Sequence, residues 1–268
     1  MSLERFPLHL PRHAFGPRET ARAGDIWRLL QEAAVQGSSR RGWTPLRYRE
    51  AGTAFIVRRM NAVHHREAVF GEVLDAETWV STFRRGVVSH RELRLAVAGV
   101  PLVSATQEWV HVRMRPKLAP MRAPPELVSE LAPIAYGDGH VELPSIEPHP
   151  AGPVRHHSVH LRFTEMDPLA HANHPAYVDW CDEATSRRLA AVGADPHGLV
   201  PVAETVHFRS GAMAPEVVDV QSWIVGRVGD AVALEHRLVG GDGRLCATAT
   251  TLRRHLDGLE AFGDADRD

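Results

Sequence analysis

Apolar and polar positions along this chain fall into two periods, and each half of the chain uses both in the same order. A period of two, the mark of a half-buried strand, runs through Val159, Leu161 and Phe163 and again through Val218, Val220 and Ser222. It predicts strands near 198–210, 215–228, 231–240 and 244–254, led by one at 156–164. A helical period sets Tyr177, Trp180, Cys181 and Ala184 on one stripe and predicts a helix over 174–193. In the first half Ile26, Leu29, Leu30 and Ala33 do the same over 22–37, after a leading strand at 6–14. One long helix among antiparallel strands buries its faces only if the sheet wraps around it, which is an α+β architecture.

The two halves also echo each other in residues. EVLDAETWV at 72–80 returns as EVVDVQSWI at 216–224, and RLAVAGVPLVSATQEW at 94–109 returns as RLVGGDGRLCATATTL at 237–252. Each of the second pair is two strands around a hairpin turn. IWRLLQEAA at 26–34 matches YVDWCDEAT at 177–185 in apolar spacing and in its Glu-Ala pair. Strands resemble strands whatever their origin, but three echoes in one order point to duplication. Nine of the nineteen prolines lie in 115–153, which reads as a linker with a short helix near 125–131. The expected layout is an N-terminal domain over 1–114, the linker, a C-terminal domain over 154–256 and an acidic tail over 257–268.

Hydrophobic residues at 44% and charged residues at 24% suit a packed core. A net charge of −2 gives no electrostatic reason to expect a nucleic acid or a membrane surface as partner. Two cysteines, Cys181 and Cys246, offer no disulfide framework. The start of the chain lacks a secretory pattern and no apolar run reaches membrane-spanning length, so a cytoplasmic setting is expected. The adjacent pairs His64-His65 and His156-His157 point to opposite faces of a strand and chelate poorly, so neither a metal nor another cofactor is expected. The arginine runs at 187–188 and 253–254 read first as solvated faces, and second as contacts for phosphate or an acidic carrier.

Chemistry concentrates in 163–184, FTEMDPLAHANHPAYVDWCDEA. Asp167 and His171 lie in a tight loop just before a helix whose first turn holds Pro175, where unpaired backbone N–H groups face whatever binds. Asp167, His171, Asn173, Tyr177 and the downstream Glu183 resemble the pattern of the hotdog thioesterases, with Ala170 where Gly is usual and His174 where Asn is usual. The double length and the first half are similar to the fatty acyl-carrier-protein thioesterases, through Gln31-Glu32-Ala33-Ala34, Phe70-Gly71-Glu72 and Glu108-Trp109-Val110. That resemblance implies a tandem hotdog fold and hydrolysis of an acyl thioester carried by coenzyme A or acyl carrier protein. It leaves open whether two chains pair as a homodimer. The chain departs from the plant-type pattern at Leu169, where Asn is usual, and on the strand after the helix, where Glu204 is the nearest acid to Phe208-Arg209-Ser210-Gly211.

Under that reading Asp167 activates water or attacks the carbonyl, and His171 orients substrate or the carboxylate. Asn173 and Glu183 complete the catalytic set. Leu169, Ala170, Tyr177 and Glu204 are the expected substrate contacts, with N–H groups near Ala170 and His171 as oxyanion donors. Each has a plainer reading beside it: Asp167 as a capping acid, His171 satisfied within its loop, Asn173 as a loop brace, Tyr177 as core, Glu183 as an exposed helical acid. The positions matching Asp167, His171 and Asn173 in the first half are Gly16, Thr20 and Arg22, so one competent site per chain is expected, with the first helix lining or capping an acyl pocket. Two other functions compete with hydrolysis. A hotdog hydratase or dehydratase normally carries its Asp and His one residue further apart, and a non-catalytic acyl-binding module would fit Leu169 and Arg209.

Overall fold

The computed structural model describes residues 3–263. They form two compact units, residues up to 11 with 26–142, and 12–25 with 143 onward. In chain order the elements are β1 (Glu4–His9), α1 (Ala23–Arg40), α2 (Pro45–Glu50), β2 (Thr53–His64), β3 (Val73–Arg84), β4 (Val88–Val97), β5 (Val100–Arg113), β6 (Ala119–Pro120) and α3 (Pro125–Glu130). There follow β7 (Glu147–Pro148), β8 (Arg155–His160), α4 (Ala176–Ala191), β9 (Leu199–Phe208), β10 (Val217–Val228), β11 (Ala231–Gly240), β12 (Leu245–His255) and α5 (Glu260–Gly263).

Each unit has one long helix and an antiparallel sheet with the same strand order. In the first unit it is β1-β3-β4-β5-β2, with β6 extending along β5. In the second it is β8-β10-β11-β12-β9, with β7 pairing the far end of β10. This is the double hotdog: each helix lies against the concave face of its own sheet. In the second unit Val218, Val220 and Ser222 are buried beneath α4, as their alternation requires. In the first, α1 approaches β3 and β4 so closely that a Cβ on Gly37 would stand 2.5 Å from Thr78 Cγ2.

Two expectations change. The leading strands stop at His9 and His160 instead of running to 14 and 164, because single 3₁₀ turns follow at Arg12–Ala14 and Phe163–Glu165. Glu165 closes the second turn by accepting the Arg162 N–H at 2.7 Å, which takes Phe163 off the strand and leaves it exposed. Residues 115–142 are not a free linker either. Ala123, Leu127 and Leu131 join Trp43 and Val80 in a buried cluster of the first unit, since α3 has an apolar stripe that needs a partner. Past β12, Phe262 is buried against Leu189, Val232 and Leu234, while 264–268 lie outside the described residues. Among the described residues no helix is long and apolar enough to cross a membrane, both cysteines are free thiols, and no group of three or more His, Cys, Asp or Glu is placed to hold a metal.

Candidate active-site loop

The loop 166–174 is a closed turn. A single antiparallel bridge joins Met166 and Ala172. Within it the Asp167 N–H donates to the His171 carbonyl at 2.7 Å and the Ala170 N–H to the Asp167 carbonyl at 2.9 Å. Ala170 adopts φ +61, a left-handed conformation that costs an L-residue about 1–2 kcal/mol. A glycine would be unstrained there. The Asn173 N–H is held by the Glu165 carbonyl at 2.8 Å, and Pro175 opens α4.

Asp167 is oriented by its own loop. One carboxylate oxygen, Oδ1, accepts the Leu169 N–H at 2.8 Å and, more weakly, the His171 N–H at 3.4 Å. The other oxygen is unengaged among the described residues, and the side chain is partly exposed. His171 is fixed by packing: a Cβ on Gly211 would stand 2.2 Å from its Cδ2, so only glycine lets the ring lie there. The two side chains thus share one turn without a hydrogen bond or ion pair between them; each is set by a different neighbour. Ala170 does not lend its N–H to a substrate, because the Asp167 carbonyl already takes it, and the Leu169 N–H is likewise taken by Oδ1.

The wall behind the loop is 208–216. The Ala172 N–H donates to the Ala212 carbonyl at 2.8 Å, and the Ala212 N–H donates to the Tyr177 hydroxyl at 3.0 Å. Tyr177 is 2% exposed and meets Phe208 edge-on, and burial pushes its phenol well above the ordinary value. It is therefore a strut between α4 and the wall, not the substrate contact expected. Arg244 clamps the same segment, giving Nε to Ser210 Oγ at 2.9 Å and Nη2 to the Gly211 carbonyl at 3.1 Å and to Glu216 Oε1 at 2.5 Å. Neither Gly211 nor Arg244 was singled out by sequence as a site residue. The signal for Gly211 was its place two residues after Arg209, and nothing local marked Arg244.

Two expected site residues lie elsewhere. Glu183 is exposed on α4 and paired with Arg187 at 2.6 Å, an ordinary i, i+4 ion pair. Its carboxylate is committed to Arg187 at the helix surface, and among the described residues no hydrogen bond or ion pair joins it to Asp167. Glu204, on β9, is fully buried and bound to Arg253 Nη1 at 2.6 Å, while Arg253 Nε reaches Asp182 at 2.8 Å. Burial alone would lower the Arg253 pKa, but the two carboxylates outweigh it and hold the guanidinium charged. Glu204 is a structural anion between helix and sheet, and the 253–254 arginine run is correspondingly no solvated pair. Asn173 remains at the helix start with its Oδ1 buried and without a hydrogen-bond partner among the described residues.

The same turn occurs a second time. At the first half's equivalent positions Phe15 bridges Ala21, the Gly16 N–H donates to the Thr20 carbonyl at 2.9 Å, the Glu19 N–H donates to the Gly16 carbonyl at 3.0 Å, and Glu19 takes φ +57. Gly16 stands where Asp167 does and Thr20 where His171 does. The turn folds without either functional side chain.

Residues 161–261 match the sequence profile of the thioesterase-like superfamily. No curated protein matches the chain by sequence. Among solved structures it is similar to a protein provisionally described as an oleoyl thioesterase from Lactobacillus plantarum, at 19% identity over 95% of this chain and 96% of that one, with a TM-score of 0.79. It is similar to the 12:0-ACP thioesterase from Umbellularia californica at 18% identity, 95% and 98% coverage and a TM-score of 0.71. An acyl-ACP thioesterase from Bacteroides thetaiotaomicron matches at 10% identity, 94% and 98% coverage and a TM-score of 0.72. At these identities the likeness is one of fold, and it extends over both units.

Proposed function

Taking the chain as a thioesterase-like superfamily protein built as a double hotdog, we propose that it hydrolyses acyl thioesters at one site, the loop carrying Asp167 and His171. The observation that carries this is the duplicated turn. Because Gly16 and Thr20 close the same turn in the first half, the carboxylate and imidazole of the second are not required by the local fold. A capping role alone leaves their joint presence, on one turn at a helix start, unaccounted for.

In the proposed reaction the open oxygen of Asp167 takes a proton from water as the water oxygen attacks the thioester carbonyl carbon. The His171 ring N–H donates to the carbonyl oxygen as it gains charge, a donor that Gly211 holds in place. The carbon–sulfur bond then breaks, the proton passes from Asp167 to the departing thiolate, and a free acid and a thiol leave. Direct attack by Asp167, through an anhydride that water then opens, uses the same groups. Asn173 supports the loop through its backbone.

The double-length solved neighbours named as acyl-ACP thioesterases make the acyl-carrier-protein form the first substrate to assay, with the coenzyme A form beside it. Two buried free cysteines suit a reducing, cytoplasmic setting. Pairing of two chains belongs with the same proposal and is read by light scattering. The decisive test is thiol release from both carrier forms across acyl lengths, with wild type and Asp167→Asn. Release by the wild type and its loss, by about a hundredfold or more, in a folded variant supports hydrolysis. An ultraviolet change at constant thioester indicates a hydratase instead, and binding without turnover a non-catalytic module.

A further inference from the structure

At the other end of α4 from the Asp167 loop there is a cavity of about 370 Å³ within the second unit, between the last turns of the helix, β8 and the β10–β11 face. Its size falls in the ~300–1,000 Å³ range of small-molecule sites. The lining residues centre on 184–192, eight to sixteen positions beyond the start of the helix at Ala176, so with a rise of about 1.5 Å per residue the cavity lies roughly 12–24 Å along the axis from the catalytic turn.

The walls are cationic. Arg155, Arg187 and Arg188 contribute guanidinium groups and His156 and His157 imidazoles, and no acidic side chain belongs to the lining. Acids engage two of these groups, Glu183 holding Arg187 at 2.6 Å and Asp219 holding His156 Nδ1 at 2.9 Å, and Arg155 and Arg188 have partners as well. Arg188 is nearly buried, 8% exposed, an unusual position for a charged side chain in a protein interior. The His157 imidazole is held below its usual pKa by burial and then by the charge of Arg187, with Glu183 opposing both.

The floor carries a hydroxyl held by a neutral ring. Ser222 Oγ, 4% exposed, lies 2.7 Å from His236 Nδ1, and His236 Nε2 lies 2.9 Å from Thr251 Oγ1. Burial, with Arg253 nearby, pulls the His236 pKa down to about 3, so this ring is neutral and has one donor and one acceptor nitrogen. With the proton on Nδ1, the ring donates to Ser222 Oγ and leaves the serine O–H to point into the cavity. Beside these polar groups Ala184, Val192 and Leu234 form an apolar wall.

We propose that this cavity binds a small organic oxyanion, a carboxylate or a phosphate ester, with its charged head on the arginine cluster and Ser222 and its carbon part on the apolar wall. Planar guanidinium forks match both oxyanion geometries bidentately, and the partial burial of the site strengthens those contacts relative to water. The site is separate from the catalytic loop and stands whether or not the loop hydrolyses thioesters.

The test is calorimetric titration of the full-length protein with octanoate, with pantetheine 4′-phosphate, with inorganic phosphate, and with 1-octanol as a neutral control. The His157 ring proton is followed by NMR. Wild type and Asp167→Asn are expected to bind at least one organic anion equally well, and the His157 pKa to rise on binding. The double variant Arg155→Gln/Arg187→Gln is expected to weaken binding about tenfold or more with melting temperature and thiol release unchanged. Octanoate without pantetheine phosphate identifies a carboxylate, and the converse a phosphate ester. Binding of neither organic anion, equal binding by the double variant, octanol as tight as octanoate, or loss of binding in Asp167→Asn overturns the proposal.

Discussion

Replacing Gly211 with alanine is the sharpest perturbation of the loop, because the added methyl has one obstacle. Built on the existing backbone, its Cβ would lie 2.2 Å from His171 Cδ2, 2.5 Å from Cγ and 3.0 Å from the histidine Cβ. Carbon atoms in contact sit about 3.5–4.0 Å apart, so the ring or the wall must move by more than an ångström. The wall resists: Arg244 holds the Gly211 carbonyl and Ser210, and Tyr177 holds the Ala212 N–H. The imidazole, whose ring nitrogens have no hydrogen-bond partner among the described residues, is the softer element and gives way. A displacement of about 1 Å in a positioning group costs on the order of a hundredfold in rate, while overpacking costs about 1–3 kcal/mol of stability. Gly211→Ala is therefore expected to remain folded by circular dichroism and to lose about a hundredfold in kcat for thiol release, with KM changed far less. A folded variant with wild-type kcat refutes the claim that the ring position of His171 matters to the chemistry.

Three further outcomes follow from the same geometry. Glu204→Gln leaves a charge on buried Arg253 with Asp182 as its remaining anion, and unfolding in urea is expected to show a loss of about 3 kcal/mol. Burial holds the His236 pKa at about 3 in the folded protein, against about 6.5 for an ordinary imidazole, so the unfolded chain binds the extra proton between those values. Stability from this group is complete above pH 6.5 and falls as pH drops toward 3; His236→Asn is expected to remove that part of the acid dependence, as measured by denaturant midpoints across pH. Ala170→Gly relieves the left-handed strain of about 1–2 kcal/mol at the cost of about 0.5–1 kcal/mol of chain entropy, so a midpoint raised by the equivalent of about 0.5–1 kcal/mol is expected.

The sequence by itself determined the repeat, the two helices, the order of elements along each half and the loop. Those features are written in local periodicity and in short-range turn chemistry, where the residues that interact are also neighbours in the chain. The turn from Asp167 to His171 is such a case, since all of its hydrogen bonds close within five residues. Tertiary structure decided which of the marked side chains face one another. Glu183 and Glu204 looked available because a free acid and a paired acid read alike in sequence, and their partners Arg187 and Arg253 are told apart from other arginines only by packing. Tyr177 became a strut, and Gly211 and Arg244 became supports of the loop, through contacts spanning more than thirty residues. The cationic cavity is the extreme instance: β8, α4 and the β10–β11 face meet there only after the sheet has curled around its helix. Periodicity encodes which face a residue takes; which residues on facing surfaces touch is set by curvature and register over the whole sheet.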